Sequence, residues 1–328
     1  MSASPTKAKA GAEQINVTVS AVVPLNDLVT RFEFQRTDGA PFPTFSGGAH
    51  TVVEMRDGEQ TRLNPYSLMS DPEDTATYAI SVRRDDQGRG GSRFMHEQVK
   101  VGDQMKITYP VNLFSLDLRA RKHLFLAGGI GITPSIAMIQ QLKRTGGSWK
   151  LHYGVRSAAL GSYAQDLQSD DSHHVHVYCE DQDQHIALEK LLSGQPLGTH
   201  VYVCGPKGMI NWVRDIAAKA GWPKAHVHFE EFTAPQPGEP FEVRLCKSDR
   251  TITVGEQESL LEALEREGID APFLCRGAAC GQCETNVIGH KGEFLHRDHW
   301  LEDDERASGT KIMPCVSRFI GTKLELDR

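Results

Sequence analysis

Three cysteines in a C-x4-C-x2-C arrangement, Cys275, Cys280 and Cys283, are followed after thirty-one further residues by a fourth, Cys315. This spacing suits a [2Fe–2S] core. Two irons bridged by two sulfides need four thiolates converging on a small volume, so a tight loop supplies three and a distant segment the last. Gly277 and Gly281 lie within the loop, where side chains would keep backbone N–H groups from the cluster sulfurs. A structural zinc is the competing use of four thiols. Zinc sites usually pair their ligands as two short knuckles, and here only Cys280 and Cys283 are that close. The other cysteines, Cys179, Cys204 and Cys246, are scattered. An odd total of seven, behind a start without a secretory segment, argues against a disulfide framework and for a reducing, cytoplasmic setting.

The elements that must position the loop can be read around it. Phe241 to Cys246 and Thr251 to Val254 cluster apolar residues about Lys247-Ser248-Asp249-Arg250, the pattern of a hairpin. Leu260, Leu261 and Leu264 then recur at helical spacing between Ser259 and Glu267. Hairpin, helix and cysteine loop in this order resemble the plant-type ferredoxin domain, over residues 241–328. One position departs from that family's loop, which has glycine where this chain has Ala278.

Residues 15–118 predict an antiparallel β-barrel, because Ile15–Val19, Thr30–Phe34 and Tyr78–Val82 alternate apolar and polar residues between Gly and Asp turns. Pro65-Tyr66-Ser67-Leu68 resembles the R-x-Y-S motif of ferredoxin-reductase-like flavin barrels. The resemblance implies Tyr66 packing on the flavin, Ser67 near its reactive N5, and Leu68, Ser81, Val82 and Arg83 completing the site. Gly90-Gly91-Ser92 resembles the turn that offers backbone N–H groups to the flavin phosphate, a concavity needing small residues. The motif's arginine is Asn64 here, so phosphate neutralisation is expected from Arg62, Arg83, Arg84 or Arg93. Taken singly, a core tyrosine and a plain hairpin turn are the commoner explanations of these two motifs.

From Lys122 the pattern changes to alternating strands and helices, with strands at 122–127, 149–155, 174–179 and 200–204 and helices at 135–143 and 187–192. That alternation predicts a doubly wound parallel sheet over residues 119–232. Gly128-Gly129-Ile130-Gly131-Ile132-Thr133-Pro134 is not the G-x-G-x-x-G fingerprint. It resembles the G-G-x-G-x-T-P turn of the ferredoxin-reductase nucleotide domain, and Cys204-Gly205-Pro206, with Met209, resembles that family's second turn beside the nicotinamide. Glycines let such a turn open toward a pyrophosphate at the helix N-terminus. The resemblance implies Thr133 and Cys204 where nicotinamide meets flavin, and Phe232 against the flavin. The bland alternatives are a buried small hydrophobe for Cys204 and a core aromatic for Phe232. Arg156-Ser157 follows the second strand without an adjacent carboxylate, a pattern that also admits the 2′-phosphate of NADPH.

Flavin barrel, nicotinamide domain and C-terminal ferredoxin in this order resemble the phthalate dioxygenase reductase family from about Val17 onward. The resemblance implies FMN, NADH and one [2Fe–2S] cluster in a reductase that feeds a terminal Rieske-type oxygenase or demethylase. A reductase for a haem monooxygenase is the nearer rival, and a zinc-stabilised nucleotide-binding interaction module the rival of another class. Composition agrees with a globular protein of two or three domains, 39% hydrophobic and 24% charged. Residues 241–328 hold twelve Lys and Arg against seventeen Asp and Glu, which is −5 of the chain's −7, so nucleic acid is an unfavoured partner. The most apolar run, Leu124 to Ile139, is broken by three glycines and a proline, so no membrane span is expected. Residues 1–14 read as a frayed tail, Thr233-Ala234-Pro235-Gln236-Pro237-Gly238-Glu239-Pro240 as an exposed linker, and the protein as a monomer.

Overall fold

The structure is a computed structural model and describes residues 13–58 and 60–328. Most of the expected tail therefore lies outside the described residues. Gln14, its last member, opens the first strand and pairs with Thr108.

The first domain comprises β1 (Gln14–Pro24), β2 (Val29–Arg36), β3 (Ala49–Asp57), β4 (Gln60–Ser67), β5 (Tyr78–Arg83), α1 (Gly91–Glu97), β6 (Gln104–Thr108) and β7 (Val111–Asn112). Alternation drives it: Ile15, Val17 and Val19 of β1 point inward with Phe32 and Phe34 of β2, while the residues between them face out. The strands run antiparallel in the order β4-β3-β6-β1-β2-β5 and curl into a half-barrel. Beyond β4, the Met69 N–H donates to the Ala79 carbonyl of β5 at 2.9 Å, which draws the two edges together.

The second domain is built from β8 (Lys122–Gly128), α2 (Thr133–Thr145), β9 (Trp149–Val155), α3 (Ala164–Asp171), β10 (Val175–Cys179), α4 (Leu188–Ser193), β11 (Thr199–Cys204), α5 (Lys207–Lys219) and β12 (Val227–Glu230). All five strands are parallel in the order β10-β9-β8-β11-β12. Central β8 and β11 are almost wholly buried, as strands covered on both faces must be. The order reverses between β8 and β11, so the C-terminal ends of these strands open the crevice where such sheets take ligands. The core here is continuous with the half-barrel through Met69, Ala79 and Phe114.

The third domain holds β13 (Phe241–Leu245), β14 (Arg250–Val254), α6 (Leu260–Arg266), β15 (Thr285–Leu295), α7 (Asp303–Ser308), β16 (Lys311–Ile312) and β17 (Arg318–Leu326). Its core is separate. Helix α6 starts at a capping box, with the Ser259 hydroxyl accepting from the Glu262 N–H and the Glu262 carboxylate accepting from the Ser259 N–H. Its Leu260, Leu261 and Leu264 are fully buried, each worth about 1.5–3 kcal/mol of burial.

Residues 233–240 are not the exposed connector expected. Pro235 is buried, and the Gly238 and Glu239 carbonyls accept from Arg318 at 3.0 and 2.8 Å. The same guanidinium donates to the Glu258 and Gly255 carbonyls at 2.7 and 3.1 Å. Three prolines keep the segment extended and leave fewer N–H groups to satisfy, the Gly238 N–H donates to the Glu256 carbonyl at 3.1 Å, and one buried arginine serves two of its carbonyls, so it lies as a strap against the third domain.

Candidate active site

One cavity of about 1270 Å³ receives residues from all three domains. The half-barrel contributes Asn64 to Ser67, Ser81, Arg83 and Gly88 to Ser92; the parallel sheet contributes Gly128 to Gly131, Thr133, Arg156, Gly205, Pro206 and Met209. The strap adds Thr233 to Gln236, and the cysteine loop adds Cys275, Gly277 and Ala279.

On the half-barrel wall, Tyr66 and Ser67 end β4, and the Tyr66 hydroxyl accepts from Asn64 Nδ2 at 3.3 Å. Burial pushes the Tyr66 phenol up to about 12, so it stays a neutral donor. Gly90 caps α1 with φ of 90°, a left-handed conformation that leaves the first N–H groups of the helix toward the cavity. The guanidinium groups of Arg62 and Arg93 flank Gly90, each with a nitrogen 3.3 Å from the position of a Cβ there. Arg62 is anchored by donating to the Arg89 carbonyl at 2.7 Å. Arg83 reaches the cavity, whereas Arg84 is turned away onto Asp86 and Glu97. The Ser92 hydroxyl is held by the backbone of Asp85, accepting from its N–H at 3.0 Å. Ser81 exchanges a 2.5 Å hydrogen bond with the Tyr163 hydroxyl and so ties the half-barrel to the parallel sheet.

Arg62, Leu68 and Val82 do not line the cavity as expected: Arg62 is turned to Asp57, Gln60 and the Arg89 carbonyl, and Leu68 and Val82 point inward. Leu68 and Val82 are fully buried in the half-barrel core, because strand alternation turns them opposite to Ser67 and Ser81.

On the sheet wall, the two glycine turns press backbone on backbone. A Cβ on Gly131 would lie 2.3 Å from the Cys204 carbonyl oxygen, a contact no side chain survives. Thr133 is buried and donates its hydroxyl to the Ile130 carbonyl at 3.1 Å, while Pro134 sits in the first turn of α2, out of the cavity. Cys204 does not line the cavity where it is expected: its side chain joins the sheet's core, and burial pushes its thiol well up. A neutral thiol at that depth is a packing group, so the strand end is shaped by its backbone. Phe232 is half-exposed at the cavity mouth and is not a core aromatic.

Three lining residues escaped sequence reading. His50, opposite Ser67 in the β3–β4 ladder, is buried, and desolvation pulls it down to about 4. Glu180 lies just beyond β10, whose last residue Cys179 pairs with Val155, and shares the cavity end with Arg156. Glu230 is half-buried at the cavity with its Oε2 out of solvent and unpartnered, and desolvation pushes it up to about 8.

The four cysteines stand as two neighbouring pairs, Cys275 with Cys280 and Cys283 with Cys315, with Cys275 near enough to act on the charge of the second pair. Cys275 is drawn down to about 5 by Cys280 and by backbone N–H groups, that of Gly277 standing 3.4 Å from its sulfur. An all-sulfur donor set with N–H groups aimed at it fits an anionic iron–sulfur core. Cys275, Cys283 and Cys315 are buried and Cys280 is partly exposed. Ala278 holds φ of 74° where the resembling loops have glycine.

Comparison with known proteins extends this geometry. Residues 104–227 match the family described as the N-terminal domain of dimethylamine monooxygenase subunit DmmA-like proteins, and residues 243–319 match the 2Fe-2S iron-sulfur cluster binding domain. The chain is 42% identical to the heme-dependent oxidative N-demethylase beta subunit of Ectopseudomonas mendocina, over 95% of this chain and 98% of that one. It is 43% identical to the carnitine monooxygenase reductase subunit of Acinetobacter baumannii, over 96% and 98%. The solved structure of a phthalate dioxygenase reductase superposes with a TM-score of 0.87 at 33% identity, covering 96% of this chain and 98% of that one.

Proposed function

We propose, for a chain that belongs to the phthalate dioxygenase reductase family, that the oxygenase it serves oxidises a methylated amine. The protein is the reductase component of an oxygenase system and passes electrons from NADH through FMN and a [2Fe–2S] cluster to a terminal oxygenase. When bound, the flavin takes two electrons as hydride and releases them singly, which matches a two-electron donor to a one-electron cluster.

The chain's own residues divide the work. Gly90 and Gly91, with Arg83 in the cavity wall and Arg62 and Arg93 behind Gly90, form the anion site for the flavin phosphate, and Tyr66 and Phe232 wall the ring. Gly128 to Gly131 and Thr133 take the coenzyme's pyrophosphate end, with Gly205, Pro206 and Met209 bounding the nicotinamide. Glu180 beside Arg156 supplies an acceptor for a ribose hydroxyl, in keeping with NADH. Cys275, Cys280, Cys283 and Cys315 would hold the cluster, beside the cavity wall that the strap and the cysteine loop supply.

The observation that carries this reading is the single cavity shared by flavin motif, nucleotide turn and cysteine loop. The amine preference rests on the comparisons: dimethylamine and carnitine both bear a methylated nitrogen, and the third protein is an N-demethylase. The absence of disulfides among the described residues supports a reducing, cytoplasmic setting, and the net charge of −7 disfavours nucleic acid as a partner. Among the described residues no helix is long and apolar enough to cross a membrane.

The test is affinity capture of the oxygenase from the source cells with tagged holoprotein, followed by reconstitution with NADH. Formaldehyde release from N-methyl amines, and not from methoxylated or carboxylated aromatics, is expected. Turnover with the aromatics alone would contradict the assignment.

A further inference from the structure

We propose that helix α6 is a strut that sets the distance between the flavin loop and the cysteine loop, through the ion pairs Arg89–Glu262 and Arg276–Glu265. The inference rests on the electron path proposed above.

Arg89 immediately precedes the Gly90-Gly91-Ser92 turn, and its own carbonyl receives Arg62. Its guanidinium crosses to the third domain and grips Glu262 at both oxygens, Nη1–Oε2 at 2.5 Å and Nη2–Oε1 at 3.2 Å, with Nη1 also donating to the Gln257 carbonyl at 3.0 Å. The two side chains are 6% and 15% exposed, so the pair is largely removed from solvent screening. Among the described residues it is the one ion pair joining half-barrel and third domain.

Three residues along α6, on the same face, Glu265 pairs with Arg276, the residue after Cys275. The Arg276 side chain is 7% exposed and its guanidinium lies over Phe273 at 4.0 Å. One short helix therefore holds the flavin loop with one carboxylate and the cluster loop with another. Its own start is fixed by the capping box, in which Glu262 also accepts from the Ser259 N–H at 2.8 Å and hydroxyl at 2.9 Å.

Bidentate geometry makes this a directional contact, since the planar guanidinium fork meets a carboxylate in one plane. Other contacts of the third domain are made by the cysteine loop and its neighbour His299: Gly277 lies against Pro65, and His299 meets Thr233 of the strap at 2.9 Å and Glu231 at 3.4 Å. Arg89 and Glu262 neither give nor take electrons; they are positioning residues.

The experiment follows flavin and cluster absorbance separately after rapid mixing of holoprotein with NADH. Glu262→Arg opposes two guanidinium groups. It is expected to leave flavin reduction within about twofold and to slow flavin-to-cluster transfer by about tenfold or more, because small misplacements cost large factors in rate. Arg89→Glu/Glu262→Arg restores opposite charges and is expected to recover most of the transfer rate. Glu262→Gln, which keeps the capping acceptor and loses the charge, gives an intermediate rate and serves if Glu262→Arg fails to fold. Unchanged transfer in Glu262→Arg or in Glu262→Gln overturns the proposal. So does a swapped protein, with full flavin and cluster content, that stays as slow as Glu262→Arg. Failure of the underlying electron path would show differently, as a cluster that NADH does not reduce in the unaltered protein.

Discussion

Gly277, two residues past the first cluster cysteine, rests on Pro65, the residue before Tyr66: Pro65 Cγ lies 3.5 Å from where a Cβ on Gly277 would stand. The cysteine loop and the flavin motif are therefore packed neighbours. Electron transfer between the two sites needs no domain to travel, which is the structural basis of the predictions that follow.

Gly131→Ala tests the close approach of the two turns. The new methyl would meet the carbonyl oxygen, carbonyl carbon and following nitrogen of the Cys204–Gly205 backbone at 2.3, 2.5 and 2.7 Å, and backbone cannot swing aside. A stability cost of about 1–3 kcal/mol is expected, together with NADH binding weakened about tenfold or more for each 1.4 kcal/mol the turn loses. Flavin content should stay full. Stopped-flow titration with NADH measures it, and an unaltered Kd would refute the packing argument.

Ala278 sits at φ of 74° with its methyl buried. Ala278→Gly relieves about 1–2 kcal/mol of left-handed strain, but forfeits about 0.8 kcal/mol of methyl burial and about 0.5–1 kcal/mol of chain entropy. Near-neutrality is the expected result. Ala278→Val adds β-branching at a positive φ and should lower the temperature of cluster loss clearly. Equal cluster stability in the valine and glycine variants would show that the loop is not held in this conformation.

His50 gives a pH dependence with a definite sign. Burial lowers it from 6.5 to about 4, so between these values the unfolded chain binds a proton that the folded one refuses. Stability is then fully present above about pH 6.5 and is lost as pH falls toward 4, by up to about 3 kcal/mol for a shift of this size. Denaturant unfolding followed by flavin fluorescence should show this decline, and His50→Gln should flatten part of it. A parallel decline in His50→Gln would assign the effect to other groups.

Much of this was legible in the sequence, for reasons that differ by region. The cysteine spacing speaks plainly because thiolate geometry around two irons leaves few alternatives. Strands β1, β2 and β5 announce themselves by alternation, and α6 by the helical spacing of Leu260, Leu261 and Leu264. What stayed hidden depends on neighbours distant in sequence. Glu180 faces Arg156 only because β10 pairs with β9, and Arg89 meets Glu262 across 173 positions. The depth of Cys204, the inward turn of Leu68 and Val82 and the seating of the strap are packing outcomes, set by which face each backbone presents. Proline content pointed to an exposed linker, because the buried Arg318 that serves two of its carbonyls is remote in sequence.

The central claim is that electrons leave the flavin through the cluster. The most direct measurement compares unaltered holoprotein with Cys280→Ala, recording NADH-driven reduction of ferricyanide and of a protein acceptor, cytochrome c or the captured oxygenase. The account predicts that the ratio of protein-acceptor to ferricyanide reduction collapses when Cys280, the partly exposed ligand, is removed. An unchanged ratio would mean that the flavin delivers electrons directly and that the third domain has another role.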